Sequence, residues 1–177
     1  MVARVWRMLT RYPSRCTVTL ISTWNVMTIS DILKIQDGTA FSIALSDLMY
    51  SRGGPAGLEG LRPAEQVVYC VDGLERDVNN GGFEQFFLNS PGEYARETEA
   101  ALRTIGAHHT AALVEQAIAV FPGGPAPDQD GRAEQVVALS DGARARLDSL
   151  SAEFCEYRDD LSGLTRAYVA QHQGDFA

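Results

Sequence analysis

The sequence predicts an all-α fold: a compact multi-helix domain with a tight Asn-Asn-Gly-Gly αα-corner. Three observations point there. Apolar residues recur at steps of three and four through most of the chain after residue 30. No convincing run of apolar/polar alternation, the mark of a half-buried strand, interrupts them. Gly- and Pro-rich stretches punctuate the periodic segments. A chain of 177 residues with 45% apolar content is long enough for one domain with a real core.

Residues 1–26 stand apart. They hold Arg4, Arg7, Arg11 and Arg15 and no acid, and are weakly strand-like from Thr17 to Val26. "TVTLISTWNV" is too polar for the apolar segment of a signal peptide. The Arg-rich start faintly resembles an organellar transit peptide, but the arginine-poor stretch that follows argues against one. We therefore set residues 1–26 aside as a leader, with Met27 as an alternative start, and expect a single domain over 27–177.

The helices follow in order. "SDILKIQDGTAFSIALSDLMYSR" offers Ser30 or Asp31 as an N-cap and places Phe41, Leu45, Leu48 and Met49 at helical spacing. Gly38 is expected to divide it. "GGPAGLEGL" reads as a loop. "RPAEQVVYCVDGLERDV" opens with Pro63, suited to a first helical turn. Val67, Cys70, Val71, Leu74 and Val78 then form an apolar stripe. "YARETEAALRTIG" and "HHTAALVEQAIAVF" are two helices hinged at Gly106. "PGGPAPDQDG", residues 122–131, is expected to be a flexible linker. Finally, Leu147, Leu150, Phe154, Tyr157, Leu161, Leu164 and Tyr168 form one stripe that Gly163 could split into two helices.

The stretch "VNNGGFEQFFLNSPG" carries the corner. Asn79 and Asn80 tolerate capping or left-handed geometry, and Gly81 occupies it freely. Gly82 allows an immediate turn into a new helix. Glu84 and Gln85 suit the free N–H groups of its first turn. Phe83, Phe86, Phe87 and Leu88 supply a packing face, and Pro91 and Gly92 end the short helix. A functional alternative makes Asn79, Asn80, Gln85 and Asn89 a polar pocket for a small ligand or anion. That pocket would lack a good nucleophile or base: Asp77 and Glu84 are its only nearby acids. Backbone geometry alone accounts for the glycines.

Charge narrows the function. Four arginines in residues 1–26 leave eleven basic residues against twenty-three acids in the remainder, a net charge of −12 there. Such a body should repel nucleic acid and anionic membrane and attract basic partners. No apolar run is long enough to span a bilayer. Cys16, Cys70 and Cys155 are odd in number and lack CxxC spacing, which suggests neither a disulfide framework nor a zinc site. A reducing, cytoplasmic compartment is expected.

Taken together, these residues resemble a known family. "LERDVNNGGFEQFFLNSPGEYARETEAALRTIGAHHTAALVEQAI" is similar to the core signature of a bacterial DNA-mimic protein family first described as a domain of unknown function. The matching positions are Val78 to Phe87, Asn89 and Gly92, then Ala101, Leu102, Ile105, Gly106 and Ala107. Tyr168, Val169, His172 and Phe176 resemble the family's C-terminal ending. The likeness covers roughly residues 40–177. It implies a helical fold, no known enzymatic activity, and a surface that imitates duplex DNA to occupy a DNA-binding protein.

Mimicry requires carboxylates spaced like phosphates. Helix positions three or four apart lie about 5–6 Å from one another, close enough to serve. Glu153, Glu156 and Asp160 have that sequence spacing, with Asp148 and Asp159 nearby. Glu93 with Glu97 and Asp72 with Glu75 form pairs, and Asp128, Asp130 and Glu134 add charge near the linker. Arg96, Arg103, Arg144, Arg146 and Arg158 are interleaved and would neutralise parts of these faces. The plainer account is that a helical protein solvates its outer faces with acids.

Other chemistries lack a pattern. His108 and His109 are adjacent, so on a helix they diverge by about 100°. His172, Cys70 and Cys155 have no ligand spacing. No G-x-S-x-G, S-x-x-K, G-x-G-x-x-G or P-loop motif is present. We expect no catalytic residues, metal or cofactor. The expected function is binding to a DNA-binding protein or other basic protein, with a homodimer also compatible. The alternatives are an enzyme or small-ligand binder using the Asn79–Asn89 corner, and an immunity or scaffold protein that meets a basic partner.

Overall fold

The computed structural model describes residues 27–176. The leader, and Cys16 with it, lies outside the described residues. Those described form eight α-helices and three short 3-10 segments, with no strand among them.

α1 (Ile29–Ile32) is a single turn capped by Thr28, whose hydroxyl accepts from the Asp31 N–H. Asp31, an expected cap, instead sits inside the turn and binds Thr28 and Lys34. α2 (Gly38–Gly53) starts at Gly38, because the Asp37 carboxylate accepts from the Ala40 N–H at 2.8 Å. The expected break therefore precedes this glycine. Gly54–Gly60 is a 3-10 segment with proline in its first turn, where a loop was expected.

α3 (Pro63–Leu88) is the central element, packed against α2 and against four helices that follow it: α4 (Ala95–Ile105), α6 (Gln129–Val137), α7 (Asp141–Phe154) and α8 (Leu161–Gln171). Cys70, Val71, Leu74 and Val78 of the expected stripe are buried, joined by Val68. Two residues inside α3 leave helical geometry: Gly81 (φ −166°, ψ 27°) and Gly82 (φ 72°, ψ −173°). Positive φ thus falls on Gly82, not on Gly81 as the sequence suggested. A Cβ on Gly82 would also lie 2.8 Å from Ser151 Oγ. That hydroxyl accepts from the Phe83 N–H at 2.9 Å and donates to the Leu147 carbonyl. A side chain from α7 therefore engages the first N–H beyond the kink.

Beyond the kink the aromatic residues enter the core. Phe83 meets Phe86 and Phe154 edge-on, and Phe87 meets Phe121 with ring centroids 4.6 Å apart. After α3 the chain makes a 3-10 segment, Ser90–Tyr94. Here Gly92 lies so close to α3 that a Cβ would come within 2.6 Å of the Phe86 carbonyl oxygen. α4 ends at left-handed Gly106, and α5 (His108–Ile118) follows after one more residue.

Two expectations need correction. The Pro/Gly stretch 122–131 contains the Asp128 N-cap and the first residues of α6, a helix that apolar spacing did not reveal. The final stripe is not continuous. α7 and α8 are separated by residues 155–160, well before Gly163, and Tyr157 sits in that turn with φ 48° and an exposed ring.

The polar interaction that joins these parts comes from Arg132 of α6, which is 1% exposed. Its guanidinium donates to the carbonyls of Phe87, Asn89, Ala126 and Pro127. Gln129 takes the Leu88 carbonyl at 2.8 Å. The last carbonyls of α3, which a helix cannot satisfy internally, are thus met by α6.

Arg132→Met is expected to lower unfolding stability by about 3 kcal/mol or more in chemical denaturation, because several buried carbonyls lose their donor. A loss below about 1 kcal/mol would contradict this account. Gly82→Ala is expected to cost about 1–3 kcal/mol by the same measurement, from strain at positive φ and crowding by Ser151.

Candidate functional site

The acidic residues singled out by sequence fall into different surroundings. Glu153 is half-buried on α7, 3.6 Å from both His109 Nε2 and an Arg158 nitrogen. Glu156 accepts two bonds from Arg158, at 2.8 and 2.9 Å. Asp159 accepts from the backbone N–H and the hydroxyl of Thr110, at 2.8 and 2.9 Å, and so serves the N-terminal turn of α5. Asp160 caps α8 through the Gly163 N–H. Glu153, Glu156 and Asp160 therefore share no helix, and the sequence spacing that suggested one carboxylate row does not exist in space. The chain turns at Tyr157 instead.

Glu93, Glu97 and Asp148 are exposed, as are Asp128, Asp130 and Glu134. None of the six holds an ion pair among the described residues. Glu93 and Asp128 both act on the buried Arg132 guanidinium. The start of α4 and the start of α6 therefore bring their acids to neighbouring positions.

Asp72 and Glu75 lie elsewhere, in an open cleft of about 390 Å3 among α2, α3 and α8. Asp72 accepts from the Ser46 hydroxyl at 2.9 Å and pairs loosely with Arg76. Glu75 accepts from the Tyr157 hydroxyl at 3.0 Å, and that oxygen accepts from the Asn79 amide at 2.6 Å. Burial raises the pKa of both carboxyls. Ser46 and Arg76 oppose the rise at Asp72 while Asp47 and Asp77 add to it. Tyr157 opposes it at Glu75 while Asp72 and Asp160 add to it. Several carboxylates thus share this region with one guanidinium, which is already divided between Asp72, Asp77 and Tyr50.

The polar residues of the signature are placed separately. Asn79 reaches the cleft, and Asn80 is exposed on the outside of α3. Gln85 sits against Gly81, and Asn89 ends α3 with its carbonyl held by Arg132. Burial pushes the Cys70 thiol up to about 12, so it stays protonated at neutral pH and is a poor nucleophile. No group of three His, Cys, Asp or Glu able to hold a metal ion occurs among the described residues, and no described helix is long and apolar enough to cross a membrane.

Sequence reasoning missed Arg132, Tyr157 and the hydroxyls of Ser42, Ser46, Ser162 and Thr165. The serines carried a faint signal. Ser42 and Ser46 are four residues apart beside the apolar stripe of α2, which places both along one edge of it.

A comparison with protein-family models matches residues 59–172 to the family described as DMP19-like protein. No curated protein and no solved structure matches the chain.

The raised pKa values of Asp72 and Glu75 have a definite sign. The folded protein holds these protons more tightly than the unfolded chain, so both groups disfavour folding as they ionise. Their contribution falls as pH rises from the ordinary values, 3.8 for Asp72 and 4.5 for Glu75, through the raised folded values. Asp72→Asn and Glu75→Gln should flatten that fall when melting temperature is followed against pH. Profiles parallel to the parent's would contradict it.

Proposed function

The chain belongs to the DMP19-like family, and from that premise we propose that it acts by binding. Its exposed carboxylates occupy the basic DNA-binding face of a partner such as a transcriptional regulator, as a DNA mimic. The observation that supports this is where the positive charges are spent. Arg52, Arg76, Arg103, Arg144 and Arg158 each engage an acid within the fold. Arg132 and Arg166 are turned onto backbone carbonyls, and Arg166 also stacks on Phe41. The acids at the starts of α4 and α6 are left outside without an ion pair among the described residues; nearby, Arg132 is buried and Arg96 lies against Gly124.

This favours Glu93, Glu97, Asp128, Asp130 and Glu134 over the Glu153–Asp160 group as the main contact surface. In the latter, Arg158 screens two acids and two others hold helix N-termini. Binding through exposed charge should be fast and strongly salt-dependent.

The test is capture of partners from the source cell's lysate at low and high salt, with duplex DNA as competitor. A DNA-binding protein held at low salt and released by salt or DNA is the expected result. Reversing Glu93, Glu97 and Asp130 to Lys should then weaken its binding by at least about tenfold with the melting temperature preserved. Glu156→Lys should matter far less. Recovery of proteins that bind no DNA, or equal binding by the triple variant, would overturn the proposal.

A further inference from the structure

A separate groove of about 190 Å3 lies between the first turns of α3 and the outer face of α4. About 150 Å3 already admits a benzene-sized ring, so this groove takes a large side chain rather than a water. Leu58, Pro63, Val67, Cys70, Ala100 and Ala101 give it an apolar lining. Two of its polar side chains are already spent. Gln66 donates to the Leu58 and Leu61 carbonyls, and Thr104 donates to the Ala100 carbonyl. Glu97 is the one charged residue in the lining; it is exposed and holds no ion pair among the described residues. The apolar lining favours an apolar occupant, and the carboxylate favours a cation next to it.

The chain itself carries such a pair outside the described residues. "RVWR", residues 4–7, sets Val5 and Trp6 between two arginines, in a leader with four arginines and no acid. Its charge is opposite to that of the body. Trp24, by contrast, lies in a stretch without charge, residues 16–26. The chain also enters the fold at the right end. α1 packs against the C-terminal 3-10 segment Gln173–Phe176. Arg52 ties the Phe176 carbonyl to Glu65 in the first turn of α3. Pro63 and Gln66, from the same end of that helix, line the groove. Reach is no obstacle. The 21 residues from Trp6 to Met27 span up to about 70 Å, whereas a domain of this size has a radius of gyration of about 15 Å.

We propose that the leader docks in this groove through residues 4–7, with the Trp6 ring on the apolar lining and Arg7 against Glu97. The docking stands on the groove and the leader alone. Its consequence rests on the binding role above. Glu97 belongs to the proposed contact surface, so a docked leader competes with the partner for it.

The experiment reads tryptophan fluorescence of the full chain. Trp6 and Trp24 are its two tryptophans, so Trp24→Phe leaves Trp6 as the only indole. In that background Trp6 should emit at shorter wavelength than in denaturant and be shielded from acrylamide. Ala100→Lys, which fills the groove from an exposed helix position, should move the emission to longer wavelength and restore quenching. Glu97→Lys should do the same, with melting curves showing that both variants remain folded. Arg7→Glu, which alters no described residue, should act in the same direction. Asp148→Lys, the same charge change on α7, should leave Trp6 as it was. Emission equal to that of the denatured chain would overturn the proposal. So would a blue shift that survives Ala100→Lys, or one that Asp148→Lys removes as fully as Glu97→Lys. A blue shift that disappears on dilution would place Trp6 in a second copy and overturn it as well. None of these outcomes involves a partner, so the salt- and DNA-released capture judges the mimic role separately.

Discussion

A guanidinium buried without a carboxylate holds this fold together. Arg132 has lost nearly all contact with water, and its direct partners are carbonyl oxygens. Burial lowers its pKa, while Glu93 and Asp128 act to raise it from a distance. A buried cation would normally call for an ion pair. Here the partial negative charge at the C-terminal end of α3 takes that place, as expected for a cation at a helix C-terminus. The arrangement ties α6 and the 122–128 segment to the end of the central helix. It also leaves the nearby acids outside, where they stabilise the guanidinium at long range while remaining open to solvent.

The same use of positive charge runs through the molecule. Arg52 joins buried Glu65 of α3 to the Phe176 carbonyl near the C-terminus. Arg166 joins α8 to the carbonyls that follow α1. Arg144 joins α7 to Glu84 and to the end of α6. Each of these arginines links elements distant in sequence. A chain with eleven basic residues after Val26 that commits most of them to such links must present a strongly negative exterior. The acidity of the surface is in part a consequence of how the core is assembled.

Much of the fold was legible because helical periodicity and turn chemistry are local. The stripe on α3, proline at its start, left-handed Gly106 and the packing role of Phe83, Phe86 and Phe87 all follow from neighbours in sequence. What was not legible depends on contacts between distant residues. Only the approach of Ser151 and of the Phe86 carbonyl shows why Gly82 and Gly92 are tightly constrained. α6 escaped notice because its anchor is an arginine, which carries no hydrophobic period. The Leu147–Tyr168 stripe misled for the opposite reason. Its spacing continues through a turn in which Tyr157 is left-handed and faces Glu75 and Asn79 rather than the core. The Glu153–Asp160 row failed with it, since a row of carboxylates exists only if the helix beneath it does. The cleft, assembled from α2, α3 and α8, had no single stretch of sequence to announce it.

These placements separate what the family signature does from what the protein does. Asn89, Gly82 and Gly92 set the path of α3 and the chain beyond it, and Phe83 and Phe86 fill the space the kink encloses. Substituting them would injure the core before it touched a partner. Exposed carboxylates are under no such constraint, and can be rearranged between relatives while the corner persists. A rigid scaffold nevertheless matters to them. Imitating a phosphate backbone demands fixed distances between negative groups, and side chains rooted at helix starts keep those distances better than side chains on mobile loops. Glu93, Glu97, Asp128 and Asp130 are all rooted in this way, beside the segment that Arg132 holds. The buried guanidinium and the proposed interaction surface are thus two sides of one piece of structure: what fixes α6 to α3 also fixes the positions of the charges that a partner would meet.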